Sequence, residues 1–386
     1  MTHRILVLGA GYAGTVAAGT LARRLRPDDA RITLVNAAPD FVERVRMHEL
    51  AVGHALRPRS LAEMFSGTAV DLVIDRVTGL DTTTRRVTLT GGEDLEYDSL
   101  VLALGSAPAP PAAEVADARI RSVGSREEAL RLRTDLAALP AGSPLSVVGA
   151  GLTGLEAATE IAESRPDLRV TLHSGGEVGA GLSARAVRHL RSALGRLGIK
   201  VREGLRVETA DRERVRTVDG SSYPADLVLW SSGFAPSPLA GTSDLETHAD
   251  GRVLVDRALR SLSHPEVLAV GDAAWARGPG GSPLRMSCAS GIPMGWQAAE
   301  TLVAELRGRS ARRVPLGYFT QCLSLGRRDG LIQPVHPDDT SRRTALTGKA
   351  AALTKEQVCR GAAWAAGHPT LGLPVPTLSA RSTVGA

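Results

Sequence analysis

The stretch RILVLGAGYAG, residues 4–14, decides the fold. An apolar strand signal runs into Gly9, Gly11 and Gly14, with Tyr12 and Ala13 between them, and a small-residue helix runs from Gly11 to about Leu25. RITLVN, at 31–36, supplies the second strand of a strand–helix–strand unit. Val16, Ala17, Thr20 and Leu21 stand at helical spacing and offer one face to the sheet. A glycine-rich turn at a helix N-terminus presents backbone N–H groups and the positive end of the helix dipole to a pyrophosphate. Gly14 also lets the helix approach the strand, so the glycines serve packing as well as phosphate binding. An acid normally ends the second strand, where it holds ribose hydroxyls. Here the residue is Asn36, whose amide still donates to and accepts from hydroxyls.

The pattern returns at 145–163, LSVVGAGLTGLEAATEIAE, with Gly149, Gly151 and Gly154, followed by LRVTLHSGG at 168–176. One such motif is weak; two, each between a strand and a helix and each followed by a strand, indicate two dinucleotide sites. The second strand of this unit ends His173-Ser174, with Glu177 the nearest acid. Without a strand-end carboxylate, repulsion of a 2′-phosphate is weakened, so Ser174 on the ribose side admits NADH or NADPH. Each unit precedes a β-meander pattern, at 69–108 and 199–236, rich in Thr, Gly and Asp turns. APAPPAAE (107–114) is a proline-rich connector, and the stretch near 240–250 marks a return crossing. The expected division is 1–112 with 246–306, 113–245, and a C-terminal region 307–386. That last region contains strand signals at 314–333, one or two Ala-rich helices at 342–370 and an untidy tail at 371–386.

A third motif, PEVLAVGDAAW (265–275), is an apolar strand ending in Gly271-Asp272-Ala273-Ala274. With the two glycine loops it resembles the flavin motif of the two-dinucleotide-domain flavoprotein oxidoreductases. YDSLVLALGSAP (97–108), containing Gly105, and ADLVLWSSGFAP (225–236) resemble the crossings between the two domains of that superfamily. The chain is most similar to the type II NADH dehydrogenase and apoptosis-inducing-factor-like branch. Within it, the chain resembles an actinobacterial group carrying PDFVERVRMHELAVG (39–53), QCLSLGRRDGLIQ (321–333) and RGAAWAAGHPT (360–370). The resemblance implies an α/β fold of two Rossmann-like domains, for FAD and NAD(P), with a small C-terminal α+β region. It also implies noncovalent FAD with Asp272 on its ribityl chain, NADH or NADPH as donor, and a small-molecule acceptor, a quinone among the candidates.

Glu156 matches an acid that this superfamily places near the flavin–nicotinamide junction. Arg44 and His48 fall in the segment expected to reach the flavin ring, where a cation stabilises the reduced form. A surface salt-bridge cluster of Arg44, Arg46 and His48 with Glu43 and Glu49 is the competing reading, and Glu160 is expected to be solvated. The quinone-site helix of the type II enzymes is only partly kept, at 286–306, with Gln297 retained. Two alternatives stay open: a flavin dehydrogenase or oxidase of a specialised small metabolite with a vestigial nicotinamide site, and a non-enzymatic redox-sensing flavoprotein.

Composition excludes other classes. The chain has 386 residues, enough for two or three domains, and 43% of them are hydrophobic, ample for separate cores. Aromatic residues at 3% leave few stacking platforms for single-stranded nucleic acid, and the +5 charge comes from dispersed Arg rather than basic runs, so no nucleic-acid partner is expected. Cys288, Cys322 and Cys359 are far apart without a C-x-x-C pattern, so no metal site or disulfide framework is expected. Neither 40–55 nor the middle domain holds a cysteine, so no thiol relay is expected, and although Cys288 and Cys322 could meet in space, the three read as core residues. Neither a signal peptide nor an apolar run of membrane-spanning length is found, which predicts a cytoplasmic protein. Lys349, Lys355 and Arg360 among Leu346, Leu353 and Val358 admit a peripheral membrane contact through a basic amphipathic helix. Folding back onto the flavin domain or onto a second subunit of a homodimer is the favoured arrangement.

Overall fold

The computed structural model describes residues 2–109, 114–115, 119–311 and 316–371. Residues 372–386, most of the expected tail, and 110–113 of the proline-rich connector lie outside them. The first sheet has the order Val267–Ala269, Ser99–Leu102, His3–Leu8, Ala30–Asn36, Val70–Ile74, with every pair parallel. Parallel sheets need cover on both faces, and the apolar run Ile5, Leu6, Val7 and Leu8 is accordingly buried throughout.

The helix Tyr12–Arg24 is more deeply placed than one sheet-facing stripe predicts, because Tyr12 through Leu21 are all buried. It is sandwiched between the sheet and the helix Cys288–Leu306, and small residues make the contact. A Cβ on Gly295 would lie 2.4 Å from the Ala13 carbonyl oxygen, so the two helices meet backbone to backbone there.

The second sheet repeats the plan in the order Ile120–Arg121, Leu227–Trp230, Pro144–Val148, Arg169–His173, Lys200–Arg202, again wholly parallel. In both halves the strand leaving the meander pairs with the strand leading into the glycine loop. The meanders are antiparallel, over Val77–Asp81, Arg86–Leu89 and Asp94–Glu96 in one half and Val207–Ala210, Arg214–Thr217 and Ser222–Pro224 in the other. The crossing segments Ser106–Pro108 and Phe234–Pro236 pair antiparallel with each other, tying the halves together.

The C-terminal region forms a three-stranded antiparallel sheet of Thr320–Ser324, Gly330–Pro334 and Leu346–Thr347, followed by one helix, Lys349–Gly367. This helix folds back onto the body of the protein. A Cβ on Gly330 would sit 2.8 Å from the Ala352 nitrogen, and one on Gly19 would sit 2.3 Å from Pro369. Its outward side leaves Leu353, Val358 and Trp364 exposed. Among the described residues no helix is long and apolar enough to cross a membrane, and no His, Cys, Asp and Glu group suited to holding a metal ion is found.

Candidate dinucleotide and redox site

The two glycine loops have nearly the same local geometry. Gly9 has φ +98° and Gly149 φ +106°, a region that L side chains rarely enter. A Cβ on Gly14 would fall 1.8 Å from the Gly9 carbonyl oxygen, and one on Gly154 would fall 1.9 Å from that of Gly149. By contrast, a Cβ on Gly11 or Gly151 would meet nothing within 4 Å, which leaves that side of each loop open to a ligand. Gly11 and Gly151 cap the helices that follow, and neither cap supplies a side-chain acceptor. The first amides of both helices therefore face outward as anion donors. This chemistry fits a pyrophosphate at each loop.

Around the first loop the sequence-predicted residues converge. Asn36 Oδ1 accepts from the Ala10 N–H at 2.9 Å, and its Nδ2 donates to the Ala38 carbonyl at 2.7 Å. Its amide thus fastens the glycine loop to the strand end. Gly271, at φ +62°, brings the third motif against Ala13, where an added Cβ would come 3.2 Å from the Ala13 Cβ. Asp272 accepts from the Ser106 hydroxyl at 2.6 Å and from Arg44 Nη1 at 3.4 Å, while Ala273 is buried. Arg44 Nη1 also lies 3.3 Å from Ser106 Oγ, and a Cβ on Gly105 would stand 3.7 Å from it. The Arg44 guanidinium lies 5.6 Å from the centre of the Phe234 ring. Residues from four separate segments thereby form one half-buried polar cluster, whose donors and acceptors fit the chemistry of a ribityl chain.

Four residues after Arg44, His48 faces a different set of partners. It is buried, its Nδ1 is 4.0 Å from Glu156 Oε2, and its Nε2 lacks a hydrogen-bond partner. Burial, reinforced by Lys355, Arg327 and Arg46, pushes its pKa well below the usual histidine value, so it is neutral. Glu156 pairs with Lys355 Nζ and accepts from the Ser324 N–H at 3.1 Å. Burial pushes Lys355 down to about 8. Lys355 reads in the sequence as part of a basic, membrane-type face, but it lies instead on the helix's buried side with Ala351, Cys359, Ala363 and Ala366. The available signal was its i±4 spacing from Ala351 and Cys359, a lysine on an apolar stripe.

Of the bases in 43–49, Arg46 alone pairs with Glu43 and Glu49, and it does so in the interior rather than on the surface. Arg46, 7% exposed, binds Glu43 at 3.2 Å, Glu49 at 3.1 Å and Glu356 at 3.0 Å. Glu160 is not solvated. It is 1% exposed, lies 3.0 Å from His54 Nε2 and 3.9 Å from Arg327 Nε, and burial raises its pKa to about 7. Helix amphipathicity predicts a polar outer face; this one is covered by the segment after Arg46 and by the 325–329 turn, packing that no local pattern records. The cysteines are free, with Cys359 buried and Cys288 and Cys322 half-buried, and burial raises all three thiols.

At the second loop the strand-end residues separate. His173 turns inward, with Nε2 3.1 Å from Ser146 Oγ and its ring edge-on to Tyr223 at 5.0 Å. Ser174, which follows it at the place Asn36 holds in the first half, has its hydroxyl 3.4 Å from the Gly176 nitrogen.

Two Rossmann-like domains, each with an open glycine loop, and a third motif closing over the first define a two-dinucleotide flavoprotein. The family model for pyridine nucleotide-disulphide oxidoreductases matches residues 3–301, and the chain belongs to that family. It is an FAD-dependent, NAD(P)H-dependent oxidoreductase. An NADH dehydrogenase-like protein of Mycobacterium tuberculosis is 31% identical over 383 residues, 92% of each chain. The ferredoxin–NAD(+) reductase component of the biphenyl dioxygenase system of Paraburkholderia xenovorans is 32% identical over 297 residues, 73% of this chain and 70% of that one. The structure of the sulfide:quinone oxidoreductase of Aquifex aeolicus shares the fold, with a TM-score of 0.81 at 18% identity over 96% of this chain and 92% of that one.

Proposed function

We propose that the chain passes a hydride from NAD(P)H at the second glycine loop to FAD at the first, and the electrons onward to a quinone-like or other small acceptor. In this reading residues 1–112 and 246–306 hold FAD, 113–245 hold the nicotinamide nucleotide, and 307–386 are the interface or membrane-proximal region. The observation that carries it is the short run from Arg44 to His48. At one end it reaches the Asp272 cradle, and at the other the buried Glu156–Lys355 pair.

When bound, the flavin links hydride transfer from the nicotinamide to electron transfer to the acceptor. The protein's own groups do the rest. Gly9, Gly11, Gly14 and Asn36 position the FAD pyrophosphate and ribose, and Gly271, Asp272 and Ala273 the ribityl region. Arg44 holds positive charge beside them. Gly149, Gly151, Gly154 and Ser174 do the corresponding work for the nicotinamide nucleotide. A quinone-like acceptor takes up protons with its electrons, and Lys355, held near a pKa of about 8 and steadied by Glu156, is a proton donor close to working pH. The exposed Leu353, Val358 and Trp364 suit a membrane surface or a second subunit. Names among the similar proteins that carry NADH dehydrogenase and quinone support this reading. The absence of any cysteine from 113–245 argues against sulfide as donor through a cysteine pair.

The test is to reduce the yellow protein photochemically and follow reoxidation by a short-chain quinone. Lys355→Met, paired with Glu156→Gln so that no buried charge is stranded, should slow reoxidation by about 100-fold, the scale of a lost general acid. Reoxidation of the double variant at the wild-type rate would remove Lys355 from the reaction, and failure of the wild-type protein with every quinone would remove that acceptor class.

A further inference from the structure

The charges at the second ribose position favour one nucleotide. The strand-end residue is Ser174, so no carboxylate is present to repel a 2′-phosphate. The Ser174 N–H donates to the Arg202 carbonyl at 2.8 Å, which brings the end of the neighbouring strand Lys200–Arg202 alongside. Arg202 is exposed, its guanidinium lies 5.3 Å from the centre of the Tyr223 ring, and it takes part in no ion pair among the described residues.

Of the nearby acids, Glu203 is engaged elsewhere. Glu203 accepts from the Val178 N–H at 2.5 Å and pairs with Arg191 at 2.8 and 3.0 Å. Glu177 is exposed and within the field of Arg191. His173 does not compete, because its ring points to Ser146, and burial, with Arg202 second, pushes it down to about 4. Gly175 and Gly176 are exposed, and a Cβ on either would meet nothing within 4 Å, so the space beside Ser174 is free.

We propose that this site selects NADPH over NADH, with Arg202 pairing with the 2′-phosphate and the Ser174 hydroxyl hydrogen-bonding to it. The proposal rests on reading the second glycine loop as the nicotinamide site, and it adds which nucleotide is taken. A guanidinium meets phosphate through two parallel N–H···O bonds, and the aromatic ring beneath Arg202 holds it ready for that contact.

Titration calorimetry of the FAD-loaded protein with 2′,5′-ADP and with 5′-AMP reads the adenosine end without flavin chemistry. The wild-type protein should bind 2′,5′-ADP about tenfold or more tightly than 5′-AMP, the scale of one charge-assisted pair. Arg202→Ala should bring the two together, and Ser174→Glu should reverse their order. Equal binding by the wild-type protein, or an Arg202→Ala variant that keeps the preference, overturns the assignment. Anaerobic addition of each full nucleotide to the same preparation shows which reading has failed. Flavin bleaching without a 2′-phosphate preference overturns only the selectivity; no bleaching and no binding of either analogue overturns the nicotinamide site as well.

Discussion

The two dinucleotide halves agree in their glycine loops and differ at the strand ends beside them. Both loops use a positive-φ glycine after the strand and a helix glycine whose Cβ would lie within 2 Å of a carbonyl oxygen. At the end of the second strand of each unit, Asn36 reaches back to hold its own loop, whereas its counterpart Ser174 bonds toward Gly176 and the preceding His173 turns into the core. Phosphate binding is a backbone property and tolerates only glycine at those points, so it repeats. Ribose recognition is a side-chain property, and in the proposed assignment it diverges with the nucleotide each half takes.

The largest expected effect comes from Gly14→Ala and Gly154→Ala, whose methyl groups would lie 1.8 and 1.9 Å from carbonyl oxygens. Such overpacking costs about 3 kcal/mol or more where the backbone cannot move. The account expects Gly14→Ala to purify without flavin, and Gly154→Ala to stay yellow but resist reduction by NAD(P)H. Absorbance spectra with and without donor check both. Loss of flavin from both variants would break the assignment of one nucleotide to each half.

A smaller effect separates the halves by pH. The folded pKa of His173 is about 4, below the unfolded value of about 6.5, so protons favour the unfolded chain. The stability associated with this group is full above about pH 6.5 and falls as pH drops toward 4, by on the order of 2 kcal/mol. Asn36 has no such titration. Melting temperatures between pH 4.5 and 7.5 should fall with acid in the wild-type protein and fall less in His173→Asn; an unchanged slope would show that His173 is not kept neutral.

Much of the fold was legible because its determinants are local. Strand–glycine–helix runs carry their own periodicity, and the GDAA strand announces the third motif. The candidate site was half legible for the same reason: Arg44, Gly105 and Asp272 sit in recognisable segments, and the structure brings them together around Ser106. What escaped was pairing between distant segments. Glu160 is buried by packing against His54 and Arg327. Lys355 is a surface-type residue in the sequence until the C-terminal helix folds back and sets it on Glu156. Arg202 becomes a candidate ribose reader only once sheet register pairs it with His173 and its carbonyl accepts from the Ser174 N–H.

The central claim is that two bound dinucleotides exchange a hydride within this chain. Stopped-flow mixing of the FAD-loaded protein with NADPH and, separately, with NADH under anaerobic conditions tests it most directly. The account predicts that the oxidised flavin absorbance bleaches within a single mixing experiment, faster with NADPH at low donor concentration. A flavin that stays oxidised with both donors would contradict it.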